Sequence, residues 1–235
     1  MQPPRRIVFK LSGEMLGGPR AAGVDPTRLA WLAGEVAQVR GLGVQIGLVL
    51  GAGNFVRGAE LARSGVERTT ADYMGMLGTV INSLALAGLL RARGIPADVM
   101  SAVRMQPFAR SYSPSSAVRA LGAGRVVIFA AGTGNPYFTT DTAAALRGVE
   151  VGADLLAKGT KVDGVYDRDP AVHADARAYA KISYDQVLAE RLGVMDATAV
   201  AMCRDNGLPV LVFGLKRAGG MARVAAGEFP GTLVS

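Results

Sequence analysis

The chain carries one cysteine and one histidine in 235 residues. A single thiol can close no internal disulfide and build no zinc site. Cys203 instead reads as a small buried apolar residue in an apparent helix from Thr198 to Asn206. The lone His173, in a polar loop, leaves nothing for a Ser-His-Asp triad or a His-rich metal centre. Aromatic residues are 6% of the chain and are not interleaved with the basic ones, so a stacking platform for single-stranded nucleic acid is missing. No apolar run approaches the roughly 20 residues that a membrane span needs. The longest candidate, Leu84 to Leu90, ends in Arg91 and Arg93. Met1 to Leu11 has no long apolar core of the signal-peptide kind. A reducing, cytoplasmic setting without a membrane is the expectation. Two motif classes are missing as well: there is no Gly-x-x-x-x-Gly-Lys-Ser/Thr loop, and no His-Arg-Asp or Asp-Phe-Gly.

Half of the residues are apolar, and glycine and alanine abound, as a buried parallel sheet under helices requires. The length allows one large α/β domain with a real core. The formal net charge is +7. The basic residues (Arg5, Arg6, Arg57, Arg63, Arg68, Arg91, Arg93, Arg104, Arg110) are scattered rather than clustered. Such a balance favours anionic small ligands, with nucleic acid a weaker option.

The chain is organised around Ala130 to Ala144, which contains Gly132-Thr133-Gly134-Asn135-Pro136-Tyr137-Phe138-Thr139-Thr140-Asp141. A β-branched apolar run, Arg125 to Phe129, precedes it, and a good helix former closed by Gly148 follows. This is a strand-to-helix turn, the place where open α/β sheets bind ligands. Thr139, Thr140 and Asp141 offer side-chain oxygens at the helix start, and the plainest reading there is a Thr/Asp N-cap. Two similar turns occur earlier. The strand Arg5 to Leu11 places Lys10 just before Ser12-Gly13-Glu14. The strand Val44 to Leu50 opens onto Gly51-Ala52-Gly53-Asn54, with Arg57 as a forked phosphate ligand.

Between these turns, Asp25-Pro26 starts a helix that stops near Gly41 or Gly43. Thr69 leads a long helix to Arg93, on which Asp72 is either a cap or a ligand. Ala97 to Ala102 is a strand, Arg104 to Ser113 a loop, and Ser115 to Leu121 a short helix. Further on, Asp154 to Ala157 is a strand. The polar stretch Lys158 to Pro170 is either an exposed hairpin or a nucleotide contact through Tyr166 and Asp169. Ser183 to Gln186 has capping-box spacing, Met195-Asp196 starts a helix to Asn206, and Pro209 to Phe213 and Gly219 to Ala226 are a last strand and helix. Alternation of this kind predicts a three-layer α/β sandwich with a mostly parallel central sheet. It is expected to form a single domain, with a first part over roughly residues 1–153 and a second lobe over roughly 154–235.

Glycine-rich strand ends beside Lys10 and Arg57, with Asp141 and Asp196 at helix starts, suit phosphoryl transfer. That reaction needs alignment and cancellation of charge more than covalent chemistry. A phosphate acceptor is largely deprotonated at neutral pH and needs no general base, in keeping with the single histidine. A nucleotide-storage protein and a basic nucleic-acid-binding regulator are the rival readings.

Six segments carry a resemblance in order along the chain: Lys10 to Glu14, Gly51 to Asn54 with Arg57-Gly58, Asp72 to Met76, Gly132 to Asp141, Lys161 to Tyr166, and Val194 to Asp196. They are similar to the bacterial uridylate (UMP) kinases of the amino-acid-kinase superfamily. The resemblance implies transfer from ATP to UMP with Mg²⁺, in pyrimidine nucleotide synthesis. It makes Lys10, Asp141 and Asp196 catalytic, with the two carboxylates orienting Lys10 and the metal. It puts ATP at Lys10, Leu11, Ser12, Gly13, Gly53, Arg57, Thr160, Tyr166 and Asp169. It puts UMP at Ala52, Asp72, Thr133, Gly134, Asn135, Pro136, Tyr137, Phe138, Thr139 and Thr140. Lys158 or Lys161 adds positive charge. The resemblance also implies an allosteric homohexamer activated by GTP and inhibited by UTP. Two departures stand out: Ala52 replaces the family's usual glycine, and Gly88 to Asp98 differs from the activator-binding pattern, although Arg125 fits it.

Overall fold

The computed structural model describes residues 3–235 except 21, 57–60, 62, 174 and 216–217. In chain order the elements are β1 (Arg6–Leu11), α1 (Pro26–Gly41), β2 (Gln45–Leu50), α2 (Arg68–Ala92), β3 (Ala97–Ser101), β4 (Arg110–Ser111), α3 (Pro114–Gly122), β5 (Val126–Ala130), α4 (Thr140–Glu150), β6 (Leu155–Thr160), β7 (Lys181–Ile182), α5 (Tyr184–Ala189), α6 (Ala197–Asp205), β8 (Val210–Gly214), α7 (Gly220–Ala225) and β9 (Gly231–Val234). A 3₁₀ turn, Gly13–Leu16, follows β1.

Among the described residues nine strands make one sheet, in the order β4-β3-β5-β2-β1-β6-β8-β9-β7. All strand pairs are parallel except β8 with β9. The chain leaves β1 on one side to reach β2 and on the other side meets β6. The carboxyl end of β1 is therefore a topological switch point, where such sheets open a crevice. Strand alternation divides the core into two layers. Ile7, Phe9 and Leu11 face α1, α2 and α7 through Leu32, Leu86, Leu90 and Met221. Val8, Val49 and Leu156 face the other helices through Leu121, Ala144, Val200 and Cys203. Phe9 meets Phe213 edge to face, with centroids 6.4 Å apart. The expected mostly parallel three-layer sandwich is what forms.

Local signals explain most element ends. Asp25 caps α1 by accepting from Arg28 N at 2.9 Å. Ser183 caps α5 through Gln186 N, but the Gln186 side chain bonds Glu190 instead of completing the box. Asp196 caps α6.

Several expectations are corrected. Helix α4 begins one residue earlier than Asp141, while of the Thr and Asp cap candidates Thr139 takes the role, accepting from the N–H groups of Asp141 and Thr142. Gly148 does not end α4: the helix runs on to Glu150, and a Cβ at Gly148 would lie 2.7 Å from Leu208. The glycine there serves packing, and Gly152, with φ of 63°, takes the left-handed turn beyond the helix. The loop from 104 to 113 contains the short edge strand β4. The segment 158–170 is the end of β6 followed by turns, with a lone bridge from Tyr166 to Ala178 in place of a hairpin ladder.

Helix α2, 25 residues long, is long and apolar enough to cross a membrane by length and composition, contrary to the run-length reading. It packs into the core instead, burying Val80, Leu86, Ala87 and Leu90, with Thr79, Asn82 and Ser83 hydrogen-bonded inside the protein. Asn82 bonds the β2 turn and Thr79 accepts from Ala131 N, partners that a lipid environment would not offer.

Phe9→Ala empties a site at the sheet centre. It is expected to lower the unfolding free energy by about 3–5 kcal/mol, read from urea unfolding curves.

Candidate active site

Lys10 and Lys158 stand opposite each other on the neighbouring parallel strands β1 and β6. Both fall on the face that carries Val8 and Leu156, so alternation alone brings two ammonium groups side by side on a sheet otherwise lined with aliphatics. Asp141, in the first turn of α4, lies between them. Its Oδ1 is 2.8 Å from Lys10 Nζ and its Oδ2 is 2.7 Å from Lys158 Nζ. The three side chains are 12–14% exposed. Lys158 also donates to Val194 O.

Burial, the largest influence on Asp141, favours its neutral form, but Lys10 and Lys158 outweigh it and hold the carboxyl below the ordinary carboxylate range. Burial draws Lys158 below the ordinary lysine value, opposed by Asp141, while Lys10 adds repulsion. The helix N-terminus beneath Asp141 favours the anion further.

Of the two lysines left open by the sequence, Lys158 is therefore the one that joins Lys10. Lys161 is 76% exposed and pairs with Glu14 across the lip between β6 and the 3₁₀ turn, at 2.6 Å. Asp196 does not pair with Lys10. Its oxygens accept from Thr139 Oγ1 at 2.6 Å, Thr142 Oγ1 at 2.8 Å and Ala199 N at 2.9 Å. Asp196 thus locks the start of α6 to the start of α4, which places Asp141, and its charge also favours the charged form of Lys158.

The glycine turns converge on this centre. Ser12 caps the 3₁₀ turn, and Gly13 lies so close to the β2 turn that a Cβ there would sit 2.3 Å from Gly51 O. A Cβ on Gly53 would lie 2.9 Å from Glu14 Cγ. Leu11 ends β1 fully buried. Ala52 is accommodated: its φ lies outside the left-handed region, and its Cβ fills the space left by Gly78, where a second Cβ would come within 2.8 Å. A buried amide pair holds this turn. Asn82 donates to Gly51 O and Asn54 Oδ1, and Asn54 donates back to Asn82 Oδ1 at 2.9 Å. Arg57 lies outside the described residues.

The loop after β5 opens beside the same edge. Gly132 and Gly134 take φ of 58° and 83°, and Tyr137 takes 71°. Ala131 N donates to Thr79 Oγ1 at 2.9 Å, and Tyr137 N to Asp72 Oδ2 at 2.8 Å, so α2 holds both ends of the loop. Asp72 is therefore no cap. It sits inside α2, whose start has no side-chain cap. Thr133 Oγ1 and Asn135 N bond within the loop, Tyr137 and Phe138 are exposed, and in the chain Pro136 precedes them and Thr140 stands just before Asp141. On the other side of Lys158, a cleft of about 530 Å³ is lined by Thr160, Val162, Tyr166, Asp169, Gly193 and Val194. Asp169 accepts from Ala171 N at its rim.

The carboxyl ends of β1, β2, β5 and β6 thus share one edge, which carries the buried lysine pair with the 530 Å³ cleft beside Lys158. Sequence reasoning passed over Thr79, Asn82 and Thr142. The first two were marked by being polar residues within an otherwise apolar helix. Cys203 is fully buried, its thiol pushed up to about 12 by burial first and then by Asp196 and Asp141, in keeping with an inert core residue.

A fold and site of this kind define a class. The profile of the amino acid kinase family matches residues 5–214, and the chain belongs to that family. Within it, the chain is 53% identical to the uridylate kinase of Roseobacter denitrificans over 224 residues, covering 95% of this chain and 93% of that protein. It is 50% identical to the uridylate kinase of Chromohalobacter salexigens over 230 residues, covering 98% and 91%. The crystal structure of UMP kinase from Bacillus anthracis superposes with a TM-score of 0.96 at 35% identity, over 100% of this chain and 97% of that one. That of UMP kinase from Ureaplasma parvum gives 0.93 at 35%, over 98% of each.

Because its folded pKa is depressed, Asp141 contributes stability that is complete above the ordinary Asp value of about 3.9 and is lost as pH falls through the folded value. The stability gap between wild type and Asp141→Asn is therefore expected to narrow on acidification below about pH 4, measured by denaturant unfolding at stepped pH.

Proposed function

We infer that the chain is a uridylate kinase, transferring the γ-phosphoryl of ATP to UMP to give ADP and UDP. The observation that carries this is the Lys10–Asp141–Lys158 bridge at the carboxyl ends of β1 and β6, beside the cleft at Thr160, Tyr166 and Asp169. The bridge holds a net positive charge at the rim of β1 and β6, where a transferring phosphoryl needs it. We assign ATP to the cleft at Thr160, Tyr166 and Asp169, with its phosphates reaching back to Ser12, Gly13, Gly53 and Arg57. We assign UMP to Ala52, Asp72 and the loop from Thr133 to Thr140.

Lys10 and Lys158 neutralise charge on the phosphoryl in flight. Asp141 fixes both ammoniums and keeps them from separating. The UMP phosphate, with a second pKa near 6, attacks as the dianion, so no side chain has to remove a proton. The carboxylate and hydroxyl oxygens of Asp141, Asp196, Ser12 and Thr139 are the hard donors that Mg²⁺ takes, and Asp141 and Asp196 would hold it, directly or through water. When bound with ATP, the ion would supply further charge cancellation on the phosphates.

The reaction serves pyrimidine nucleotide synthesis in the cytoplasm. We read the assembly as a homohexamer. The exposed stripe Tyr73, Met74, Leu77 and Ile81 on α2 supports self-association. GTP activation and UTP inhibition belong to the same reading. Asp98 bears on the response to GTP, because it already takes the Arg125 fork at 2.7 and 2.8 Å and Arg110 at 3.3 Å. Arg125, through its hydrogen bond, holds Asp98 below its usual range against the effect of burial. An activator phosphate must displace that carboxylate, so a weak GTP effect is expected.

A coupled ADP-release assay run with each nucleoside monophosphate tests the reaction, and repeating it with GTP and UTP tests the regulation. UMP should be the preferred acceptor; equal rates with CMP, or none with UMP, would overturn the reading. Lys10→Ala and Asp141→Asn should each lower kcat by about 10²–10³-fold while the protein stays folded by circular dichroism. Because burial lowers the Lys158 pKa, the alkaline limb of kcat should fall earlier than an ordinary lysine, near 10.4, would dictate. Lys158→Arg should shift that limb upward.

A further inference from the structure

Arg68, the first residue of α2, is in none of the assigned sets, yet it touches two residues of the proposed acceptor site. Its Nε donates to Asp72 Oδ2 at 2.8 Å, one helical turn on. Its guanidinium carbon lies 5.5 Å from the centroid of the Tyr137 ring. Tyr137 N donates to the same oxygen, Asp72 Oδ2, at 2.8 Å. Both donors thus fall on one carboxylate oxygen, and Oδ1 has no protein donor among the described residues.

Two further features of Tyr137 lack a packing explanation. Its ring is 68% exposed, and its φ of 71° is a conformation a side chain with Cβ avoids. An exposed aromatic in a strained turn is held by what contacts it, and here the contacts are Asp72 and Arg68.

We propose that Arg68 is a positioning residue for the acceptor nucleoside, fixing Asp72 by Oδ2 and the Tyr137 ring by its face, so that Asp72 Oδ1 is presented to the ribose hydroxyls of UMP. The inference rests on the uridylate kinase reading and deepens it by assigning the residue that organises the sugar subsite. Without the guanidinium, Asp72 keeps the Tyr137 N–H as its one remaining donor among the described residues and can rotate about it, and the loop keeps one fewer tie to α2. An ammonium at the same place keeps the charge but neither the planar donor nor the stacking face.

Steady-state kinetics of wild type, Arg68→Ala and Arg68→Lys with UMP, 2′-deoxy-UMP and 3′-deoxy-UMP test this. Arg68→Ala should raise KM for UMP roughly tenfold, on the scale of one charge-assisted hydrogen bond, with KM for ATP changing less than about twofold. The preference for UMP over its deoxy analogues should shrink by a similar factor, since a misdirected carboxylate no longer rejects a missing hydroxyl. Arg68→Lys should restore part of KM and little of the preference. An unchanged preference in Arg68→Ala would overturn the proposal, as would equal rises in KM for UMP and ATP, which would mark Arg68 as a support for the helix alone. Wild type inactive on UMP would instead overturn the underlying functional reading.

Discussion

One buried carboxylate reconciles two like charges that the sheet itself brings together. Register places Lys10 beside Lys158 on one face of the sheet. Asp141 removes the conflict at 2.8 and 2.7 Å, and the helix start that carries it is held in turn by Thr139, Thr142 and Asp196. Two cations and one anion leave a local excess of one positive charge, in a place too crowded for water to screen it well. Phosphoryl chemistry needs a fixed field of that kind, already in place before substrate arrives. Asp196, capping the next helix, belongs to the same scaffold.

Helix α2 plays the corresponding part on the acceptor side. Its apolar residues bury against the sheet, and its few polar ones reach out to loops that have no regular structure of their own. Thr79 holds Ala131, Asn82 holds Gly51, and Asp72 holds Tyr137. A rigid helix therefore supplies the geometry of two glycine-rich turns whose backbone dihedrals would otherwise have many alternatives. The buried Asn82 amide and Thr79 hydroxyl, in a helix apolar enough for a membrane, reflect this duty: each supplies a hydrogen bond that the loops do not make among themselves.

The layered fold was legible because its signals are local. Apolar strands ending in glycine, Asp25-Pro26 at a helix start and Ser183 three residues before Gln186 each act within a few residues. The strand pair β7 and β9 escaped notice because two and four residues carry no periodicity, and the antiparallel run of β9 against β8 is decided by long-range pairing. In the site, Lys10 and Asp141 could be named from their motifs. The choice of Lys158 over Lys161 could not, because it depends on which residue of β6 faces α4. Reading Thr139 and not Asp141 as the cap needed the backbone, since both lie in one Thr-Thr-Asp run and either could have taken the role. Asp72 showed the same limit: a carboxylate near a helix start looks like a cap until the start is located at Arg68.

The contact between Ala52 and Gly78 reaches beyond the local accommodation of a methyl group. The two positions share space for a single Cβ, so each sets the choice at the other although 26 positions of chain separate them. Alanine at 52 commits 78 to glycine, and a side chain at 78 would be admissible only after 52 had reverted to glycine. The order in which such replacements accumulate is therefore constrained: the viable route between the two arrangements passes through glycine at both sites.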